Sequence, residues 1–168
     1  MESAIPSLLA VFALLLGAVT AFRAADDSVG RISDSWKDMA HLSDERVRTR
    51  LDQVSVQVAP DGLTVSLTLE NTGQSMLTAF ERTDVIVEYT AVGGGRKIEP
   101  LAFVPGIPVA GQWTVWSIQP DMVDPGFLDP GERMLLSLRL SSEILAGAVS
   151  RLVVVAPNGA TTTVQFTR

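Results

Sequence analysis

The sequence predicts an α+β chain: one long N-terminal α-helix followed by an antiparallel β-sandwich. Three observations carry the prediction. Ser3 to Phe22 is a run of twenty uncharged residues set between Glu2 and Arg23. Residues 23–53 contain no Pro, one Gly and apolar residues at helical spacing. From Val54 onward the apolar period falls to two, in short segments separated by Gly, Pro, Asn and Asp. The expected division is a helix over 1–53, apolar over 3–22 and amphipathic over 23–53, and a β domain over 54–168.

The apolar run comes first. As a helix, twenty residues rise ~30 Å, enough to cross a bilayer core. The run exceeds the 7–15 apolar residues of a cleaved secretory signal, and Met1-Glu2 supplies no basic n-region, although Val19-Thr20-Ala21 has the form of a cleavage site. Pro6 costs little near a helix start, where first-turn N–H groups lack partners in any case. A helix apolar on every face must be buried on every side. Lipid can do this, and so can identical neighbours in a bundle.

The next thirty residues favour the bundle. Val29, Ile32, Trp36 and Met39 follow one another at spacings of 3, 4 and 3, and Val47, Leu51 and Val54 continue an apolar face after a slip near Ser43. Acids and bases alternate around this stripe and nearly cancel, as in helices that pack laterally through interleaved ion pairs. Residues 1–53 therefore read as one helix ~70 Å long. A plain anchor and stalk leaves its second-half stripe uncovered, whereas a polymer core covers it. The side chains expected to pack in that core are Ile5, Leu8, Leu9, Val11, Phe12, Leu14, Leu15, Leu16, Val19 and Phe22 from the apolar half. Val29, Ile32, Trp36 and Met39 join them from the amphipathic half.

The β elements follow in order. Residues 54–58 place Val54, Val56 and Val58 on one face, and 63–70 place Leu63, Val65, Leu67 and Leu69 together; Asp61-Gly62 between them is a hairpin turn. Strands are expected over 84–91, ending at Gly93-Gly94-Gly95, over 97–103, over 112–118 and over 134–140. The chain closes as a hairpin about Asn158-Gly159. About seven short strands with such turns indicate an immunoglobulin-like sandwich. Trp113 and Trp116, three apart in one strand, point to opposite faces, so that one fills the core.

Composition then limits function. A net charge of −6 and a pI near 4.7 offer no basic surface for a nucleic-acid backbone, so no nucleic-acid partner is expected. There is no Cys, which removes disulfides, thiolate metal sites and Cys nucleophiles. His41 is the single histidine, with no nucleophile and orienting acid around it, and no G-x-S-x-G, phosphate loop or H-E-x-x-H occurs. No catalytic or cofactor-binding residue is assigned, and no enzyme activity is expected. Residues 121–132 have an Asp, a Gly, an Asp and a Glu at positions 1, 6, 9 and 12 of an EF-hand-length loop. Val123 and Pro125 fill positions 3 and 5 without side-chain oxygens, which rejects an EF-hand. Asp121, Asp124, Asp129 and Glu132 could form a looser Ca²⁺ site, but Asp-Pro-Gly turn chemistry is the preferred reading. No Asn-X-Ser/Thr sequon is present.

Three stretches resemble a known family: "AIPSLLAVFALLLGAVTAF", "LTVSLTLENTGQSMLTAFERTDVIVEY" and "FLDPGERMLLSLRL…RLVVVAPNGATTTVQFTR". They resemble the type IV pilin superfamily and, within it, the archaellins, the archaeal-type flagellins. The resemblance implies a structural subunit of a helical extracellular filament, serving motility or adhesion, with many identical copies as its partners. It also implies a membrane-inserted precursor, a prepilin-type peptidase and an assembly platform. Residues 1–53 would form the filament core and the β domain its sheath. Two features depart from the superfamily pattern: a basic leader ending in Gly is not seen, and Ile5 stands where bacterial type IV pilins carry Glu. The alternative is a membrane-anchored β-sandwich acting as an accessory, stator or binding module of the cell envelope.

Overall fold

The computed structural model of the protein describes residues 43–168 continuously and, before them, Phe12, Leu14, Gly17, Trp36, Lys37, Met39 and Ala40. The chain divides into two units, Met1–Leu42 and Ser43–Arg168. In the first unit every described residue is helical and exposed. Among the described residues no helix is long and apolar enough to cross a membrane. The rest of the helix expected over 1–42 lies outside the described residues.

In the second unit the helix covers 43–48 and stops there, five residues short of the expected end at Gln53. Carbonyls at its end and just beyond are claimed by another loop: Gln74 N donates to Arg48 O (2.7 Å), and Thr72 N donates to Arg50 O (2.9 Å). The backbone is thereby drawn out straight, and strand β1 (Leu51–Val58) begins at once. The apolar face expected over Val47, Leu51 and Val54 is therefore not a helix face. Val47 is helical and exposed, Leu51 is buried in the β core, and Val54 is exposed.

Seven further strands follow: β2 (Thr64–Asn71), β3 (Asp84–Thr90), β4 (Arg96–Phe103), β5 (Gln112–Gln119), β6 (Arg133–Arg139), β7 (Val149–Val155) and β8 (Thr161–Thr167). They form one eight-stranded sheet in the order β1-β2-β6-β5-β4-β3-β7-β8. Six neighbouring pairs are antiparallel, as the alternation predicts. The exception is β4–β5, which is parallel over Ala102↔Gln112 and Phe103↔Trp113. This short pairing stitches two antiparallel halves into a continuous sheet, which corrects the expectation of a sandwich of two separate sheets. The outer strands meet where Thr162 Oγ1 donates to Leu51 O at 2.7 Å, so the sheet is nearly closed.

The sheet wraps a single core. Val65, Leu67 and Leu69 of β2 meet Met134, Leu136 and Leu138 of β6 in direct register, and Val85, Val87 and Tyr89 lie opposite with Leu152, Val154 and Val164. Each fully buried leucine contributes about 2 kcal/mol relative to exposure. Two residues fall out of register, Val54 in β1 and Trp116 in β5. Such bulges add local bend and twist to a sheet that has to curl. The Val54 bulge also resets the alternation, so that Leu51 before it and Val56 and Val58 after it all pack inward.

Candidate functional site

Four local structures stand out from the β framework: a capped stem, an acidic loop, an apolar groove and a charge clamp. The stem is the point where 43–48 enters the domain. Thr49 is buried; its hydroxyl donates to Glu45 O (2.8 Å) and accepts from Asn158 Nδ2 (2.6 Å). Gly73 lies against this crossing. A methyl group at Gly73 would stand 2.3 Å from Arg48 O and 2.6 Å from Arg50 N, so backbone meets backbone there and only glycine fits. The sequence signal was the Asn71-Thr72-Gly73 turn, but its role against the stem was not legible.

The acidic loop gathers the four candidate ligands but uses three of them on itself. Glu132, buried, accepts from Asp129 N (3.1 Å) and Met122 N (3.3 Å). Asp129, also buried, accepts from Asp124 N (3.0 Å), and Asp121 accepts from Gly126 N (2.9 Å). Carboxylates that tie down backbone N–H groups build turns. Among the described residues no group of three or more His, Cys, Asp or Glu is placed to hold a metal ion.

The groove lies between β5 and the loop after β4. Trp113 is 1% exposed, its ring edge-on to Phe103 with centroids 5.0 Å apart. Trp116, on the bulge, is 60% exposed. With Ile107 it borders a groove of about 460 Å³ lined also by Phe103, Pro105 and Val115. Sequence spacing identified the two opposed tryptophans but gave no sign of Ile107. The clamp is Glu88, which lies between Arg96 and Arg151, the latter at 2.6 Å. It fastens β3 to the strands on either side.

Of the residues expected in a filament core, Phe12, Leu14, Trp36 and Met39 are helical and between 62% and 73% exposed. Ile5, Leu8, Leu9, Val11, Leu15, Leu16, Val19, Phe22, Val29 and Ile32 lie outside the described residues, as does His41.

A sequence model of the archaeal-type flagellin family matches residues 5–166. No curated protein sequence matches the chain significantly. Among solved structures, the chain is similar to the archaellum periplasmic stator protein FlaG from Sulfolobus acidocaldarius. That match has 23% identity and a TM-score of 0.54, over 70% of this chain and 99% of that one. The stator complex of FlaF and FlaG from the same organism matches with the same identity and TM-score, over 89% of its chain. The archaeal flagellum of Methanospirillum hungatei strain JF1 matches at 13% identity and a TM-score of 0.59, over 98% of this chain and 93% of that one. At these identities the likeness is one of fold.

Proposed function

The chain belongs to the archaeal-type flagellin family and is a structural, non-enzymatic archaellum protein, and we propose that it is a filament subunit that polymerises through its apolar N-terminal helix. The observation that carries this reading is the uncharged run Ser3–Phe22, within which Phe12 and Leu14 are helical and exposed. An isolated chain leaves those side chains in water, and a helix apolar all round needs cover on every side. Moving from lipid into a bundle of like helices keeps it buried throughout, so extraction from a membrane exposes nothing. The likeness to the archaeal flagellum over 98% of the chain supports the same layout. The role implies a membrane-inserted precursor, a prepilin-type peptidase, an assembly platform and an extracellular destination.

A second reading has its own observation. FlaG, a periplasmic stator protein, matches over almost its whole length and at the higher identity. Under that reading the chain is an envelope-bound archaellum component, and its apolar run is an anchor. Electron microscopy of filaments sheared from cells, with N-terminal sequencing of their subunits, separates the two. The filament reading expects this chain along the shaft; recovery solely as a detergent-solubilised membrane monomer overturns it.

A further inference from the structure

The stem meets the β7–β8 hairpin at the only Asn-Gly pair in the chain, Asn158-Gly159. That pair carries a chemistry of its own. Glycine has no Cβ to shield its peptide nitrogen, so Gly159 N can attack Cγ of the Asn158 side chain. The N–Cγ bond forms, the Cγ–Nδ2 bond breaks, and Nδ2 leaves as ammonia with the proton that Gly159 N gives up. Water then opens the succinimide ring at either carbonyl. One product is aspartate; the other is isoaspartate, in which Cβ has entered the main chain.

The groups that this reaction has to move are all held. The Asn158 carboxamide is bonded at both ends: Nδ2 donates to Thr49 Oγ1 (2.6 Å), and Oδ1 accepts from Ala160 N (3.1 Å). The nucleophile is engaged as well, Gly159 N donating to Ala156 O at 2.8 Å. Arg46 lies over the glycine, where an added Cβ would meet its Cδ and Nε at 3.8 Å. Thr49 and Arg46 both belong to the stem and its junction with the domain. We propose that Asn158-Gly159 is a latent deamidation site that the docked stem keeps closed, and that its conversion unlatches the stem from the hairpin. Both products lack the amide that reaches Thr49. The Thr49 hydroxyl has one proton, already given to Glu45 O, so a carboxylate at 158 gains it only by breaking that bond. Isoaspartate also lengthens a turn closed by Gly159 N to Ala156 O and Ala156 N to Ala160 O. The inference goes beyond the filament and stator readings and depends on neither, since the stem precedes the β domain in both.

The full-length chain, kept native in mild detergent, is aged at mildly alkaline pH. Conversion is followed in the tryptic peptide 152–168 by mass spectrometry and isoaspartyl methyltransferase labelling, with peptide 51–82, which holds Asn71, as the internal reference. Thr49→Val should convert roughly fivefold faster than wild type, the rise in local opening expected for losing one hydrogen bond. Thr49→Ser keeps the hydroxyl and should restore the wild-type rate, with near-UV circular dichroism reporting the fold of each variant. Arg46→Ala, at an exposed position, uncovers Gly159 and should speed the reaction without touching the core. Folded wild type reacting as fast as the guanidinium-unfolded chain, or Thr49→Val and Arg46→Ala both reacting at the wild-type rate, would overturn the closure. For the unlatching, aged samples receive a brief native trypsin treatment. Converted molecules should be cut after Arg46 and Arg48 faster than unconverted ones in the same tube; equal or slower cutting overturns that half of the proposal.

Discussion

The side-chain amide of Asn71 donates to Leu128 O across 3.0 Å, joining residues 57 apart in the sequence. It also donates to Ser75 O (2.9 Å), and its Oδ1 accepts from Gly73 N (3.1 Å). Its own backbone donates to Glu132 O and accepts from Gly131 N. One fully buried asparagine therefore fastens the loop after β2 to the loop before β6.

Asn71→Ala removes three side-chain hydrogen bonds at a buried position; Leu128 O keeps Leu77 N and Gly73 N keeps Arg50 O, but Ser75 O loses its partner and the tie between the two loops is cut. The expected cost is about 2–4 kcal/mol, the range for losing several buried partners at once. Guanidinium unfolding of residues 43–168 reads it directly, and a midpoint equal to wild type would refute the role. Asn71→Asp should do no better, because it keeps the acceptor but loses the donor.

Glu132→Ala removes a buried acceptor of two backbone N–H groups, leaving Asp129 N without it and Met122 N with Pro120 O alone. A loss of about 1–3 kcal/mol is expected, together with faster proteolytic nicking within 121–127. Since both oxygens of Glu132 and one each of Asp129 and Asp121 are engaged by the loop itself, adding Ca²⁺ should leave the melting temperature of the wild type unchanged. A Ca²⁺-dependent rise would assign the loop a metal.

Asp61 gives the clearest pH signature. The backbone N–H groups of Leu63 and Thr64 hold its carboxyl at a pKa of about 2, aided by Arg139, against an ordinary 3.8. A folded-state pKa below the unfolded one means stability that is present above the unfolded value and lost as pH falls through the folded one. The stability difference between wild type and Asp61→Ala should thus be largest above pH 4 and shrink between about pH 4 and pH 2. A difference that stays constant across that window would exclude the mechanism.

The sequence disclosed much of this fold for a plain physical reason. Alternation marks a half-buried strand, so Leu67 and Leu136 announced their shared face, and Asp61-Gly62 and Asn158-Gly159 announced their turns. Two kinds of fact stayed hidden. The Val54 and Trp116 bulges depend on the partner strand's count of residues, which no local window contains. The end of the helix at Arg48 was hidden too, because the groups that stop it, Thr72 N and Gln74 N, arrive from another part of the chain. The acidic loop was misleading in the opposite sense: its ligand-like spacing serves its own backbone.

Leu14→Asp tests the assembly helix. A charge in a tightly packed apolar bundle has no partner and is costly to bury. Filaments should be lost while near-UV circular dichroism of the β domain stays native, since the described core lies in the second unit. Normal filaments from this variant would show that the apolar run is not the core.

The capped stem has a mechanical consequence. Residues 48–50 are gripped by the loop at 72–74 on one side and by the turn at Asn158 on the other. Those two loops belong to the opposite margins of the nearly closed sheet, β2 next to β1 and the β7–β8 hairpin. A pull or a twist applied at 43–48 is therefore shared between both margins before it reaches the first rung of the ladder. Residues 43–50 contain no glycine to act as a free swivel, and Gly73, packed against Arg48 O and Arg50 N, tightens the crossing instead of loosening it. Torque entering the stem turns the whole barrel-like body with it.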